Sequence, residues 1–169
     1  YNTGQLWSQI GQDINGLSAY DQSGHSVSLS GNGNIVAIGA AQAANPSLGN
    51  VRVFENISGS WSQIGLTIFG QAGDKTGYSV SLSDNGNILA VGSPGCSGYN
   101  NGNYPAGYVS VYENIGGSWS QIGIDIYGQN NADLSGYSVS LSGDGNKLAI
   151  CSPGCSPAGW GNPFSPPNG

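Results

Sequence analysis

Alternation of apolar and small polar side chains marks short strands along this chain. Residues 78–83, Tyr-Ser-Val-Ser-Leu-Ser, have the two-residue period of a β-strand with one buried face. The turn at 84–87, Asp-Asn-Gly-Asn, predicts a hairpin, because both central positions of a type I′ turn need positive φ. Residues 88–92, Ile-Leu-Ala-Val-Gly, are almost entirely apolar, which is typical of a strand buried on both faces. No segment keeps the spacing of an amphipathic helix, so the pattern predicts an all-β fold.

Two more segments complete a unit of four strands. After a long Gly/Asn-rich loop, residues 107–113, Gly-Tyr-Val-Ser-Val-Tyr-Glu, alternate again. A turn at 114–117 leads into residues 118–123, Ser-Trp-Ser-Gln-Ile-Gly. Because short turns join the segments in pairs, we expect a four-stranded antiparallel meander.

This unit occurs about three times. The segment Trp-Ser-Gln-Ile-Gly begins at Trp7, Trp61 and Trp119. The segment Gly-(His/Tyr)-Ser-Val-Ser-Leu-Ser begins at Gly24, Gly77 and Gly136. A repeat of this kind does not bury its apolar face alone and packs on its neighbours.

Four short strands per repeat are typical of β-propeller blades, with the Tyr-Ser-Val-Ser-Leu-Ser strand innermost and the tryptophan strand outermost. We predict three tandem repeats over 1–156, at about 5–59, 60–117 and 118–156, opening on a tryptophan strand. The last segment, 157–169, is a Pro/Gly-rich tail or a degenerate strand. Closed propellers have at least about four blades, so three arrangements stay open: a partial propeller, a ring of several copies, or an open array.

The order of motifs carries a family resemblance. Gly-Tyr-Ser-Val-Ser-Leu-Ser, Asn-Gly-Asn, Leu-Ala-Val-Gly-Ser-Pro and Gly-Tyr-Val-Ser-Val-Tyr, over residues 77–112, resemble the FG-GAP repeat of integrin α chains. The likeness covers most of the chain and is strongest to the Trp-Ser-Gln variant of secreted and surface proteins. It implies a β-propeller. Calcium-binding copies in that family carry several carboxylates in one loop, whereas the turns at 31–34, 84–87 and 143–146 have at most one each. We therefore predict no metal and no cofactor.

Charge and composition exclude some classes of partner. Only 7% of residues are charged, the net charge is −6, and the basic residues Arg52, Lys75 and Lys147 are scattered. A nucleic-acid binder needs a basic stripe that neutralises phosphates, so nucleic acid is not an expected partner. No apolar stretch approaches the length of a membrane span, and we predict no membrane insertion. The Ser/Asn/Gly-rich, Lys-poor composition favours an extracellular or cell-surface location.

Three cysteines are disulfide candidates: Cys96, Cys151 and Cys155. Cys96–Cys155 between neighbouring repeats and Cys151–Cys155 within one turn are both open pairings, and the third thiol is free or bonds to another chain. A closed zinc site is disfavoured, because three thiols without a fourth ligand do not complete it. Asn56-Ile-Ser58 is a glycosylation sequon, which makes Asn56 a candidate glycoprotein site.

No catalytic set emerges from the sequence. His25, the only histidine, stands where the other repeats have tyrosine, and no Gly-x-Ser-x-Gly elbow accompanies it. Three aspartates recur in the loop before the innermost strand, where a solvated loop is the expected role; they are Asp21, Asp74 and Asp133. Three aromatic residues of the long loops are possible ligand contacts: Tyr99, Tyr104 and Trp160.

These observations predict a non-catalytic extracellular structural or adhesive module, part of a surface coat, matrix or filament. The strand edges left open by an incomplete ring predict self-association. The alternative is a binding module whose propeller face recognises a glycan or a protein. An enzyme on the same scaffold is the third hypothesis, and the prediction is that the chain is not an enzyme.

Overall fold

The computed structural model describes residues 6–42, 48–95 and 106–154. These residues form twelve β-strands and no helix. The strands are β1 Ser23–Leu29, β2 Ile35–Ala40, β3 Asn50–Ile57, β4 Ser60–Gln63, β5 Ile68–Phe69, β6 Ser79–Leu82, β7 Ile88–Ser93, β8 Tyr108–Ile115, β9 Ser118–Gln121, β10 Ile126–Tyr127, β11 Ser138–Leu141 and β12 Leu148–Cys151.

The strands form three antiparallel sheets, one for each copy of the repeat. Sheet I has the order β1-β2-β3-β4, with β5 paired to the other end of β3. Sheet II repeats this order as β6-β7-β8-β9, with β10 paired to β8. Sheet III contains β11 and β12. The predicted all-β class and the four-stranded meander are confirmed.

Two details differ from the sequence prediction. The short strands β5 and β10 were not predicted, because two residues are too few to show an alternating pattern. The first tryptophan segment was predicted as a strand, yet no named strand lies there in the described chain. In sheets I and II the tryptophan strand pairs with the strand before it, as Asn56 with Trp61 shows. Trp7 itself takes part in a single β-bridge, which is too short to be a named strand.

Sheets I and II pack face to face around one apolar cluster. Sheet I contributes Ala37, Val51 and Val53, and sheet II contributes Val80, Leu82, Leu89 and Val91. Burying a valine or leucine side chain fully stabilises the fold by about 1.5–3 kcal/mol. The strands β1, β6 and β11 consequently lie side by side, one from each sheet.

The tryptophan strands make contacts with neighbouring segments of the chain. The indole Nε1 of Trp61 donates a hydrogen bond to the carbonyl of Ile10, at 3.0 Å. The side chain of Gln12 bonds both backbone groups of Trp61, at 2.8 and 3.1 Å. Trp119 packs against the apolar cluster. Trp61 and Trp119 therefore tie segments of the array together, whereas Trp7 is 82% exposed.

Candidate functional site

Serines of the first strands join each repeat to the next. The hydroxyl of Ser26 donates to the carbonyl of Gly77 at 2.7 Å, and Ser79 donates to Gly136 at 2.8 Å. These bonds are equivalent in the repeat, because each serine follows the Gly-aromatic pair by one residue. The pattern explains why a polar residue recurs there in the strand.

A second serine, two residues further on, accepts a hydrogen bond from the next strand. The amide of Leu82 donates to Ser28 Oγ, and the amide of Leu141 donates to Ser81 Oγ, both at 2.9 Å. The hairpin turns are joined as well, since Gly31 N donates to the carbonyl of Asp84 at 2.9 Å. Three hydrogen bonds per junction thus hold the first strands in one register, which aligns the residues before them.

An aromatic row lies at the start of these strands, and it consists of His25, Tyr78 and Tyr137. The ring centroids of His25 and Tyr78 are 4.5 Å apart, and those of Tyr78 and Tyr137 are 4.9 Å apart. His25 is exposed, Tyr137 is 44% exposed and Tyr78 is half-buried. A hydrogen bond with Tyr137, together with burial, raises the pKa of Tyr78 to about 12. The Tyr78 hydroxyl therefore releases its proton at a higher pH than an ordinary tyrosine does.

A small open cleft of about 50 Å³ adjoins the row. Its lining consists of Lys75, Tyr78, Pro94, Leu134 and Tyr137. Two tyrosine rings, two apolar side chains and one cation therefore surround one opening. The rings of the row are tilted by 52° and 45° to their neighbours. The cleft is far smaller than the roughly 300–1,000 Å³ of pockets that enclose a drug-sized ligand, so it has room for no more than a small group.

The recurring aspartates order the loops that carry the row. Asp21 accepts hydrogen bonds from the amides of Leu17 and Ser23, at 2.7 and 2.9 Å. Asp74 accepts from the amide of Gln71 at 3.1 Å and from the hydroxyl of Tyr108 at 2.6 Å. These carboxylates work as loop caps, which refines the solvated-loop prediction.

The residue after each aspartate turns the chain toward the aromatic row. Gln22, Lys75 and Leu134 have φ of 56°, 54° and 60°, a left-handed conformation that is uncommon outside glycine. This left-handed residue recurs in all three repeats, so each Gly-aromatic pair enters its strand at an equivalent position. For Asp21, burial alone would raise the pKa, but hydrogen bonds from Ser23, Leu17 and Ser18 and the charge of Arg52 lower it below the ordinary value.

The sequence-predicted site residues are dispersed. Asn56 is half-buried, and its Oδ1 accepts a hydrogen bond from the amide of Gly59 at 2.9 Å. Cys151 is an exposed free cysteine. Five predicted residues lie outside the described ranges: Cys96, Cys155, Tyr99, Tyr104 and Trp160. The disulfide and the loop aromatics therefore stay predictions.

The aromatic row was not predicted as a site, although the sequence contained a signal for it. His25 occupies the position of Tyr78 and Tyr137, so a flat ring recurs there in every repeat. The sequence assigned His25 a structural role, and only the lateral contact between the sheets brings the three rings together. No group of three or more histidine, cysteine or acidic side chains poised for a metal ion occurs in the described ranges.

Comparisons with known proteins give matches among solved structures. Neither protein-family models nor curated protein sequences give a match to this chain. The structure is similar to that of the periplasmic gluconolactonase PpgL of Pseudomonas aeruginosa, with a TM-score of 0.49 and 19% identity. The similarity covers 74% of this chain and 35% of that protein, so this chain spans about a third of its length.

This comparison contradicts the predicted non-catalytic structural or adhesive role, and with it the prediction that the chain is not an enzyme. The protein to which the structure is similar is itself an enzyme. At 19% identity, the likeness assigns no activity to this chain. Within the part of the chain that the structure describes, no helix is long and apolar enough to cross a membrane.

Proposed function

We propose that the three repeats are adjacent blades of a β-propeller-type array of the FG-GAP kind, and that the aromatic row binds a saccharide. The arrangement of blades is supported by the lateral packing of β1, β6 and β11. It is also supported by the recurrence of the same serine hydrogen bonds at both junctions.

One observation carries the saccharide proposal: a continuous row of three rings, one from each repeat, beside a cleft that contains a lysine. The C–H faces of a sugar are apolar and stack on aromatic rings, while its hydroxyls need hydrogen-bond donors and acceptors at the rim. The row supplies the rings. Because the hydroxyls of Tyr78 and Tyr137 are hydrogen-bonded to each other, the pair offers one remaining O–H donor and its acceptor oxygens to the sugar. The cleft is small, so it holds one substituent while the sugar ring lies across the row.

Lys75 defines the class of saccharide. It is one of three basic residues in a chain of net charge −6, and among the residues that the structure describes it is the only charged one that lines the cleft. An ammonium group at this position pairs with a carboxylate and excludes other cations. We therefore expect short saccharides that carry a carboxylate to bind more tightly than neutral ones of equal length.

The test is a titration of the whole chain with neutral and acidic mono- and disaccharides, followed by calorimetry or by NMR of the tyrosine rings. Replacing one stacking ring costs about 0.5–1.5 kcal/mol, so Tyr137→Leu should weaken binding by about 2- to 12-fold. Phe69→Leu is the matched control, because Phe69 is an exposed ring, 57% accessible, on the short strand β5.

Lys75→Asn tests the selectivity, since asparagine tolerates the left-handed backbone at this position. It should remove the preference for acidic sugars and leave the binding of neutral ones nearly unchanged. The proposal fails if no saccharide in the panel binds, or if Tyr137→Leu and Phe69→Leu weaken binding equally.

A further inference from the structure

Neighbouring repeats meet through an isoleucine at the start of the second strand. Ile35 packs over Gly86, so that a methyl group added to Gly86 would lie 2.5 Å from Cδ1 of Ile35. Ile88 packs over Gly145 in the same way, at 2.8 Å from its Cγ1. An apolar side chain of one repeat thus covers a turn glycine of the next.

A glycine later in the second strand makes the other close contact. A Cβ on Gly39 would collide with the carbonyl of Gly77, whose carbon would lie 2.9 Å away. A Cβ on Gly92 would collide with the carbonyl of Gly136, with the carbon at 3.0 Å. Because the neighbour is backbone, only glycine allows the sheets to approach this closely.

The third repeat has different residues at both of these contact positions. Lys147 replaces the isoleucine, and the equivalence is structural, because its amide bonds Ser142 Oγ as the amide of Ile88 bonds Ser83 Oγ. Cys151 replaces the glycine, since it pairs with Ser138 as Gly92 pairs with Ser79. Both side chains are exposed. A sheet docked here as at the other junctions would bury an ammonium group and collide with a Cβ.

At the opposite end of the array, sheet I retains the residues that contact the preceding sheet at the other two junctions. Its receiving face consists of Gly24, Val27, Leu29 and Gly33 on sheet I. Val27 and Leu29 are 64% and 59% exposed, whereas Val80 and Leu82, at the same positions of sheet II, are 8% and 6% exposed. A Cβ on Gly24 or on Gly33 would meet nothing within 4 Å. This face is therefore shaped like the two faces that are already covered.

We infer that the receiving face docks a β-sheet that presents an isoleucine, a glycine and two serines, as sheets I and II do. The third repeat of another copy is excluded as that partner by Lys147 and Cys151. Copies of this chain therefore do not join head to tail. This restricts the self-association that open strand edges predict, and it is independent of saccharide binding.

The experiment converts the third repeat into a matching partner. The double variant Lys147→Ile/Cys151→Gly restores the residues of the first two repeats, and its mass is measured by light scattering and analytical ultracentrifugation. Wild type is expected at 17.1 kDa. The double variant is expected to form head-to-tail oligomers, with a dissociation constant lower than that of wild type by a factor of about ten or more.

Leu29→Lys places a charge on the receiving face and should return the double variant to the wild-type mass. Leu66→Lys is the matched control, because Leu66 is 87% exposed and lies outside the receiving face, so the oligomers should persist. Circular dichroism checks that each variant is folded. The inference is overturned if wild type forms oligomers that Leu29→Lys dissociates, or if the folded double variant keeps the wild-type mass.

Discussion

The glycine contact between sheets II and III gives a sharp test of how the repeats pack. In Gly92→Ala, the new methyl group collides with the carbonyl of Gly136 and with the hydroxyl of Ser79. That hydroxyl donates the junction hydrogen bond to the same carbonyl, at 2.8 Å. The collision is relieved only when the two sheets separate, so we expect a large loss of stability from one methyl group.

The magnitude follows from two contributions. Overpacking a tight site costs about 1–3 kcal/mol, and weakening the Ser79 hydrogen bond costs about 1 kcal/mol. Gly92→Ala should therefore lower the free energy of unfolding by about 3 kcal/mol. For a domain of this size that corresponds to a fall in Tm of about 6–12 °C. Gly39→Ala, at the junction of sheets I and II, should lower the free energy of unfolding by a similar amount.

The assay is urea unfolding followed by tryptophan fluorescence, with a thermal melt by circular dichroism. Cys151→Ala is the matched control, because it places the same side chain at the equivalent position of β12, where the residue is exposed. It should change the free energy of unfolding by less than about 0.5 kcal/mol. A Gly92→Ala variant as stable as wild type, or a Cys151→Ala variant equally destabilised, would refute the assigned contact.

Two further predictions concern loops. Asp21→Ala removes the acceptor for three backbone amides and should cost about 2 kcal/mol at pH 7. Because folding lowers the pKa of Asp21, its contribution is present above pH 3.8 and is lost as pH falls through the folded-state pKa. Unfolding titrations between pH 7 and 2 should thus show a weaker acid dependence in the variant, and equal slopes would contradict the role of Asp21. Ser58→Gly should raise the free energy of unfolding by about 0.5–1 kcal/mol, because Ser58 has φ of 52° and the equivalent Gly116 has 59°. The same change removes the sequon, so a glycan on Asn56 in chain secreted from eukaryotic cells should disappear from the mass spectrum, whereas its persistence would mean another site is modified.

The sequence alone determined the strands and their repetition. Alternation in residues 78–83 and the Asn-Gly turn after it predicted β6, β7 and the hairpin between them, because side-chain period and turn residues are local properties. Repetition then predicted the meander of sheets I and II. The same local pattern predicted a strand at Trp7, where the structure has a single β-bridge, because the number of residues that pair depends on the neighbouring segment and not on the pattern alone.

Tertiary structure decided what each repeat contacts. The alternation in β1 predicts that one face is buried. It does not predict that Ser26 and Ser28, on the other face, form hydrogen bonds with the next sheet. Only that lateral packing aligns His25, Tyr78 and Tyr137, which are more than 50 residues apart, into one row. The same packing gives meaning to Lys147 and Cys151, which look like minor repeat variation until the contacts of Ile88 and Gly92 are known. The physical reason is that a pattern specifies which side chains leave water, whereas their neighbours depend on how separate sheets fit together.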